Sequence, residues 1–197
     1  MDVTMEYLEN FQYNSTLILS FFFISFAVLV LKIVTGGFTN DLLFSTYRSS
    51  FLNPLTYIRL VTHVLGHQDW KHFSNNFIYI LLIGPIIEEK YGTTELLNMM
   101  IITALAIGIF HLIFGKGKIL GASGIVFMLI VLSSFTNIQA GKIPITLVLI
   151  FIFYIVNEIL DGLFKNDKVS HLGHIIGAIC GGIFGFLYFY NGGILFI

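Results

Sequence analysis

Apolar stretches separated by short polar connections run along most of this chain. Six of them approach the roughly 20 mostly apolar residues that a helix needs to cross a bilayer. They cover residues 17–34, 73–87, 96–114, 119–135, 143–163 and 172–190. The pattern predicts an all-α membrane protein, a polytopic bundle of six transmembrane helices that forms one domain over residues 1–197.

The first connection, residues 35–70, is much longer than the others and mixes polar with aromatic and aliphatic residues. A loop of more than about 15 residues in a compact domain is usually functional or partly structured. The side chains in it that suit the headgroup zone of a membrane are Phe44, Tyr47, Phe51, Leu55, Tyr57 and Trp70. We therefore predict that this connection is partly interfacial.

Composition narrows the class of protein further. Of the 197 residues 56% are hydrophobic and 11% charged, and the mean hydropathy is +0.89, whereas soluble domains have about 25% charged residues. These values exclude a disulfide scaffold, a nucleic-acid-binding protein and a cytosolic enzyme as first interpretations. The single cysteine, Cys180, forbids an intrachain disulfide, and the acidic first 16 residues predict neither a signal nor a transit peptide. We expect the lipid bilayer as partner, and neither a cofactor nor a nucleic acid.

A serine among small residues opens the fourth apolar stretch, in the sequence Gly121-Ala122-Ser123-Gly124. One interpretation is a small-residue contact that lets membrane helices approach closely. The other is a nucleophile at a helix N-terminus, where first-turn N–H groups and the helix dipole stabilise a developing oxyanion. The pattern is not the G-x-S-x-G elbow of soluble hydrolases, because Ile125 occupies the last position.

His174, in the sixth apolar stretch, is the candidate base, since a serine needs a base to become nucleophilic. Glycine recurs there every fourth residue, at Gly173, Gly177, Gly181 and Gly185. This stripe predicts close packing of a second helix, which would meet His174 near its surface. The alternative is a histidine that is satisfied by a backbone carbonyl.

His72 and Asn76 open the second apolar stretch and lie four residues apart, so both fall on one helix face. Both side chains donate hydrogen bonds while uncharged, which suits stabilising an oxyanion inside a membrane. By themselves they also fit the polar start of an ordinary amphipathic helix. However, the stretches of Ser123, His174 and this pair all begin at the same membrane face, which random polar placement does not predict.

At this point the sequence resembles the rhomboid family of intramembrane serine proteases over residues 59–185. The residues that carry the resemblance are Ser123 with Gly121 and Gly124 (G-x-S-G), His174 with Gly177 and Gly181 (H-x-x-G-x-x-x-G), and His72 with Asn76 (H-x-x-x-N). Further matches are Arg59, Thr62, His63, His67, Glu88 and Gly92. Ile58 departs from the family, which often has Trp at that position.

The resemblance implies an intramembrane serine endopeptidase of the six-span prokaryotic type, in a cell membrane, acting on transmembrane segments of other proteins. Ser123 would be the nucleophile and His174 the base, with His72, Asn76 and the Ser123 N–H holding the oxyanion. His171 competes for the base role but lacks the matching glycines. Because no Asp lies near His174 in the sequence, a dyad is expected.

The resemblance also bears on the fifth stretch. Its run 143–154 would form the mobile wall past which a substrate enters. We expect its polar residues Asn157, Glu158 and Asp161 to stabilise the cap formed by the connection that follows.

Three alternatives are weighed against this interpretation. The first is a proteolytically inactive rhomboid-like module that binds membrane proteins, although such proteins typically lack the serine or the histidine. The second is a metal-dependent protein that uses His63, His67 and His72, but the H-E-x-x-H pattern of zinc proteases is absent. The third is a channel or transporter, which usually shows inverted repeats that this sequence lacks.

Membrane orientation is the point on which two arguments disagree. Most basic residues flank the first, third and fifth connections, so the positive-inside rule places both termini outside the cytoplasm. The resemblance implies instead an active site that opens away from the cytoplasm. We favour the family orientation, because several of the basic residues suit structural or interfacial positions.

Overall fold

The computed structural model describes residues 12–139, 142–164 and 171–192, and nine α-helices dominate this part of the chain. They are α1 (Thr16–Val34), α2 (Phe38–Leu42), α3 (Pro54–Thr62), α4 (Trp70–Tyr91), α5 (Thr93–Phe114), α6 (Ser123–Ser133), α7 (Ile145–Ile150), α8 (Val156–Phe164) and α9 (His171–Tyr190). A 3₁₀ turn, His63–Leu65, follows α3, and a π-helical segment, Phe151–Ile155, joins α7 to α8. Most of the predicted connection Phe164–Ser170, between the fifth and sixth apolar stretches, lies outside the described residues.

Helices occupy each of the six predicted apolar stretches. Three of them, α1, α5 and α9, are long and apolar enough to cross a membrane by length and composition. Helix α6 and the continuous segment Ile145–Leu160 are apolar but shorter, and α4 carries polar residues in its first and last turns. The structure therefore confirms a predominantly helical membrane architecture, while the count of six spans stays a prediction.

The sequence predicted only helices, and the structure corrects this in the first connection. Two short strands, β1 (Thr46–Tyr47) and β2 (Lys118–Ile119), pair antiparallel, with Thr46 opposite Ile119. Strand β1, α2, α3 and the 3₁₀ turn show that residues 35–70 are partly structured, as the length of the connection indicated.

Helix α6 lies at the centre of the core. Eight of its eleven residues are buried, as expected of a helix that is apolar on all sides. It begins at Ser123, later than the predicted stretch 119–135, because Gly121 adopts a positive φ of 123°. The Gly121 N–H donates to the His63 carbonyl at 3.0 Å, which ties the start of α6 to the first connection.

Two buried charged residues make several hydrogen bonds within the fold. The Arg59 guanidinium donates to the Tyr47 hydroxyl at 2.8 Å and to Ser49 Oγ at 2.9 Å, and it lies over the Tyr47 ring. The Glu88 carboxylate accepts from Ser15 Oγ and from the N–H groups of Leu17 and Ile18, so it caps α1. Both residues therefore hold the scaffold around the site together.

Candidate active site

Ser123 and His174 lie in direct contact. His174 Nε2 is 2.8 Å from Ser123 Oγ, a normal hydrogen-bond distance. Ser123 is the first residue of α6, and His174 lies in the first turn of α9. A serine whose hydroxyl bonds an imidazole nitrogen, with helix N–H groups beside it, is the arrangement of an activated nucleophile.

Close packing of α9 against α6 creates this contact. A Cβ on Gly177 would overlap the Gly124 carbonyl oxygen, and a Cβ on Gly181 would overlap that of Met128. The two helices therefore touch backbone to backbone, as the glycine stripe predicted. Only glycine permits this approach, and without it His174 would lie farther from Ser123.

A carboxylate lies on the other side of His174, contrary to the expectation of a dyad. Glu158 Oε1, from α8, is 2.6 Å from His174 Nδ1. The same oxygen is 2.6 Å from Nδ1 of His171, the competing histidine. Glu158 therefore meets the base directly, rather than only stabilising a cap. The expectation of a dyad rested on the lack of an Asp near His174 in the sequence, whereas the partner is a Glu sixteen residues earlier.

An aromatic ring fixes the plane of the imidazole. Phe127 lies one turn after Ser123 on α6, and its ring stacks on that of His174 with centroids 4.5 Å apart and planes 6° apart. The side chains of His174 and Glu158 are 12% and 13% exposed. The imidazole is thus held on three sides, by Ser123, Glu158 and Phe127.

His72 and Asn76 reach the same site from the start of α4. Asp69 caps this helix by accepting the His72 N–H at 2.8 Å. A Cβ on Gly121 would lie 2.6 Å from His72 Nε2, so the ring packs against the backbone just before Ser123. Asn76 Nδ2 is buried and has no hydrogen-bond partner within the described residues, and a catalytic role is one of the recognised reasons for a buried donor left unpaired.

A cavity of about 860 Å³, with both polar and apolar lining residues, joins these groups. Its lining includes His72, Asn76, Ser123 and His174, together with the motif glycines Gly121 and Gly124. Every predicted catalytic and oxyanion residue therefore faces one space. Glycines Gly177 and Gly181 lie behind it, in the helix contact.

The histidines of the proposed metal alternative have other partners. His63 Nδ1 donates to the Arg59 carbonyl at 3.2 Å, and His67 Nδ1 donates to the Leu65 carbonyl at 3.1 Å. Burial lowers the pKa of His63 to about 4 and that of His67 to about 3, so both are neutral. Among the described residues, the group whose arrangement could hold a metal ion is instead Glu158, His171 and His174.

The sequence analysis did not predict the roles of two residues of the site: Glu158 as the partner of His174, and Phe127 as the ring stacked on it. A signal existed for Glu158, since an acidic residue inside an apolar membrane stretch is costly and usually functional. No signal distinguished Phe127 among the 21 phenylalanines of the chain.

Comparison with known proteins agrees with this geometry. The family model of the Rhomboid domain matches residues 54–191. Rhomboid protease GlpG of Yersinia pestis (strain Pestoides F) is 24% identical over 185 residues, which cover 88% of this chain and 65% of that protein. Rhomboid-like protein 11, chloroplastic, of Arabidopsis thaliana is 24% identical over 138 residues, which cover 62% of this chain and 49% of that protein.

The chain thus spans between about half and two thirds of the length of these curated relatives. The matched region contains all the motif residues, from His72 to Gly181, and the family match covers well over half of the sequence. The chain is an integral membrane protein that belongs to the rhomboid family.

Proposed function

We propose that this protein is an intramembrane serine endopeptidase that cleaves transmembrane segments of other membrane proteins. The observation that carries the proposal is the hydrogen bond between Ser123 Oγ and His174 Nε2. Rhomboid protease GlpG, which is similar to 88% of this chain, is by its name a protease. The site residues bear the roles that the resemblance implies, with Glu158 added.

The first chemical step is acylation of Ser123. Glu158 accepts the Nδ1–H of His174, and this tautomer directs the Nε2 lone pair at Ser123 Oγ. His174 takes the hydroxyl proton as Oγ attacks the scissile carbonyl carbon. It then returns that proton to the leaving amine as the peptide bond breaks. Glu158 acts through His174 as a positioning residue.

Three donors hold the oxyanion that forms during this step: the Ser123 N–H, His72 Nε2 and Asn76 Nδ2. Gln68 N–H lies 3.5 Å from His72 Nδ1, a long contact that favours a proton on Nε2. The unpaired Asn76 Nδ2 gains an acceptor only when charge develops on the substrate oxygen. A water from the cavity then hydrolyses the acyl-enzyme, with His174 as base.

The substrate reaches this site from the bilayer. The outer surface of α7 and the π segment is apolar and exposed, and none of the residues of α7 is buried. We propose that the six helical stretches span the membrane as one domain, that this loosely packed segment is the wall past which a substrate enters, and that the active site opens away from the cytoplasm.

The experiment is cleavage of a transmembrane test substrate by the purified protein in proteoliposomes. We expect Ser123→Ala and His174→Ala to abolish cleavage, while Ser133→Ala, a serine at the other end of α6, retains it. His72→Ala and Asn76→Ala should slow turnover by about 10- to 1,000-fold. Failure of the wild-type protein to cleave any test substrate, with binding retained, would favour the inactive rhomboid-like binding module.

A further inference from the structure

A single carboxylate oxygen joins two histidines at the edge of the active site. Glu158 Oε1 lies 2.6 Å from Nδ1 of both His171 and His174. The two histidines are three residues apart in the first turn of α9, so their rings share one helix face. The ligand atoms of all three side chains lie within 4.8 Å of one another.

We propose that these three residues form an inhibitory zinc site. Two imidazoles and a carboxylate are a ligand set that Zn²⁺ takes in proteins, with a further position left open to water. The predicted inhibition of cleavage rests on the proposed protease function, whereas the predicted binding of zinc does not.

The geometry requires only a small adjustment to admit the ion. Zinc bonds of about 2.0–2.1 Å in a tetrahedral site place ligand atoms about 3.3 Å apart. The present separations of 2.6 Å therefore have to open by less than 1 Å. Glu158 lies on α8, which follows the sparsely buried segment from α7 to Ile155, so this helix offers the necessary movement.

The ion has a route to the site. The side chains of Glu158 and His171 are each 13% exposed, and His171 and His174 line the cavity of about 860 Å³. The positive end of the α9 dipole opposes a cation there, whereas the Glu158 carboxylate attracts it. We therefore expect affinity in the micromolar range rather than that of a permanent structural site.

Zinc on Nδ1 of His174 would stop catalysis through the tautomer of the ring. A neutral imidazole bound to metal at Nδ1 keeps its one proton on Nε2. Nε2 then donates to Ser123 Oγ and no longer accepts the serine proton. The ion also draws the Glu158 carboxylate away from its role in orienting the base.

The test of inhibition uses the full chain, treated with chelator and titrated with zinc during substrate cleavage. We expect reversible inhibition of the wild-type protein, relieved by EDTA. His171→Ala should still cleave but should need at least about tenfold more zinc, since even outer partners of metal sites change affinity by 10- to 100-fold. His111→Ala, which removes another histidine of the cavity lining, should leave zinc sensitivity unchanged. Equal inhibition of wild type and His171→Ala, or activation by zinc, would overturn the proposal.

Binding is measured separately, so that loss of activity does not obscure the result. Cobalt(II) replaces zinc as a visible probe, and it is added to Ser123→Ala and to the double variant Ser123→Ala/His171→Ala. We expect intense tetrahedral absorption bands only in the former, with equal thermal unfolding of the two. Equal spectra in both proteins, or no cobalt bands in either, would contradict the site whether or not the protein is a protease.

Discussion

The two helical contacts that build the site differ sharply in how they are held. Helix α9 buries four glycines and three other residues, among them Gly177 and Gly181, and meets the α6 backbone directly. The segment from α7 to Ile155 contacts the core mainly through Leu147, Ile150 and Ile155, and only Ile155 is buried.

Because of this difference, the Ser123–His174 pair and Glu158 differ in how freely they can move. The nucleophile and the base belong to the contact between two backbones, where side chains have little freedom to rearrange. The carboxylate belongs to a helix that few buried side chains restrain, and such regions open at low free energy. The Ser123–His174 pair is therefore fixed by the fold, while the position of Glu158 follows the movement of α8.

The largest effect is expected from breaking the tight contact. Gly181→Val places side-chain atoms on the Met128 carbonyl and forces α9 away from α6. We expect a loss of unfolding free energy of about 1–3 kcal/mol or more, with cleavage abolished. Thermal unfolding in detergent and the cleavage assay measure both.

The matched control for this change is the next residue. A Cβ on Gly182 finds its nearest neighbour, Val131 Cγ1, 4.0 Å away. Gly182→Val should therefore keep stability and activity near the wild-type values. If both valine variants behaved alike, close packing of α9 on α6 would not be what holds the pair together.

A smaller effect is expected from changing the loosely held partner. Glu158→Gln retains the shape of the side chain but replaces the carboxylate that accepts from His174 Nδ1. We expect kcat to fall on the order of 100-fold because the ring loses its preferred tautomer. The substrate KM and the unfolding temperature should stay unchanged.

Asn157→Ala, at the exposed adjacent position of α8, is the control and should have wild-type kcat. If Glu158→Gln kept the full kcat, the result would support a Ser-His dyad and assign Glu158 a structural role only. A fall in stability without a change in kcat would lead to the same conclusion.

The smallest effect is expected from the ring between the two contacts. Phe127→Leu keeps an apolar side chain but removes the ring stacked on His174. An aromatic pair contributes about 0.5–1.5 kcal/mol beyond burial, so kcat/KM should fall by about 2- to 10-fold. Phe38→Leu, at a ring that is 63% exposed and lies away from the active site on α2, should show no change.

The regular spacing of residues along helices explains why much of the site could be predicted from the sequence. The glycine spacing in α9 places small residues along one face of the helix. A face of this kind predicts that a second helix packs closely against it, even before that helix is identified. His72 and Asn76 similarly share a face because they lie one turn apart. Both predictions depend only on helix geometry, and the structure places His72 and Asn76 beside one cavity and the glycines Gly177 and Gly181 against α6.

Features that depend on irregular backbone were beyond such reasoning. The π-helical segment before α8 shifts the helix face by one residue relative to a regular α-helix, so periodicity does not show where Glu158 points. The positive φ of Gly121 delays the start of α6. The strands β1 and β2 contain two residues each and pair across 70 residues of sequence, which is too short for an alternating pattern to reveal.

The central claim is that Ser123 is a nucleophile activated by His174, and labelling by a fluorophosphonate probe tests it most directly. The probe is added to the purified protein in detergent, and mass spectrometry locates the modified residue. We expect labelling at Ser123 that disappears in Ser123→Ala and falls strongly in His174→Ala, while Ser133→Ala labels like wild type. Labelling that persists in Ser123→Ala, or the absence of any labelling in the folded wild-type protein, would contradict it.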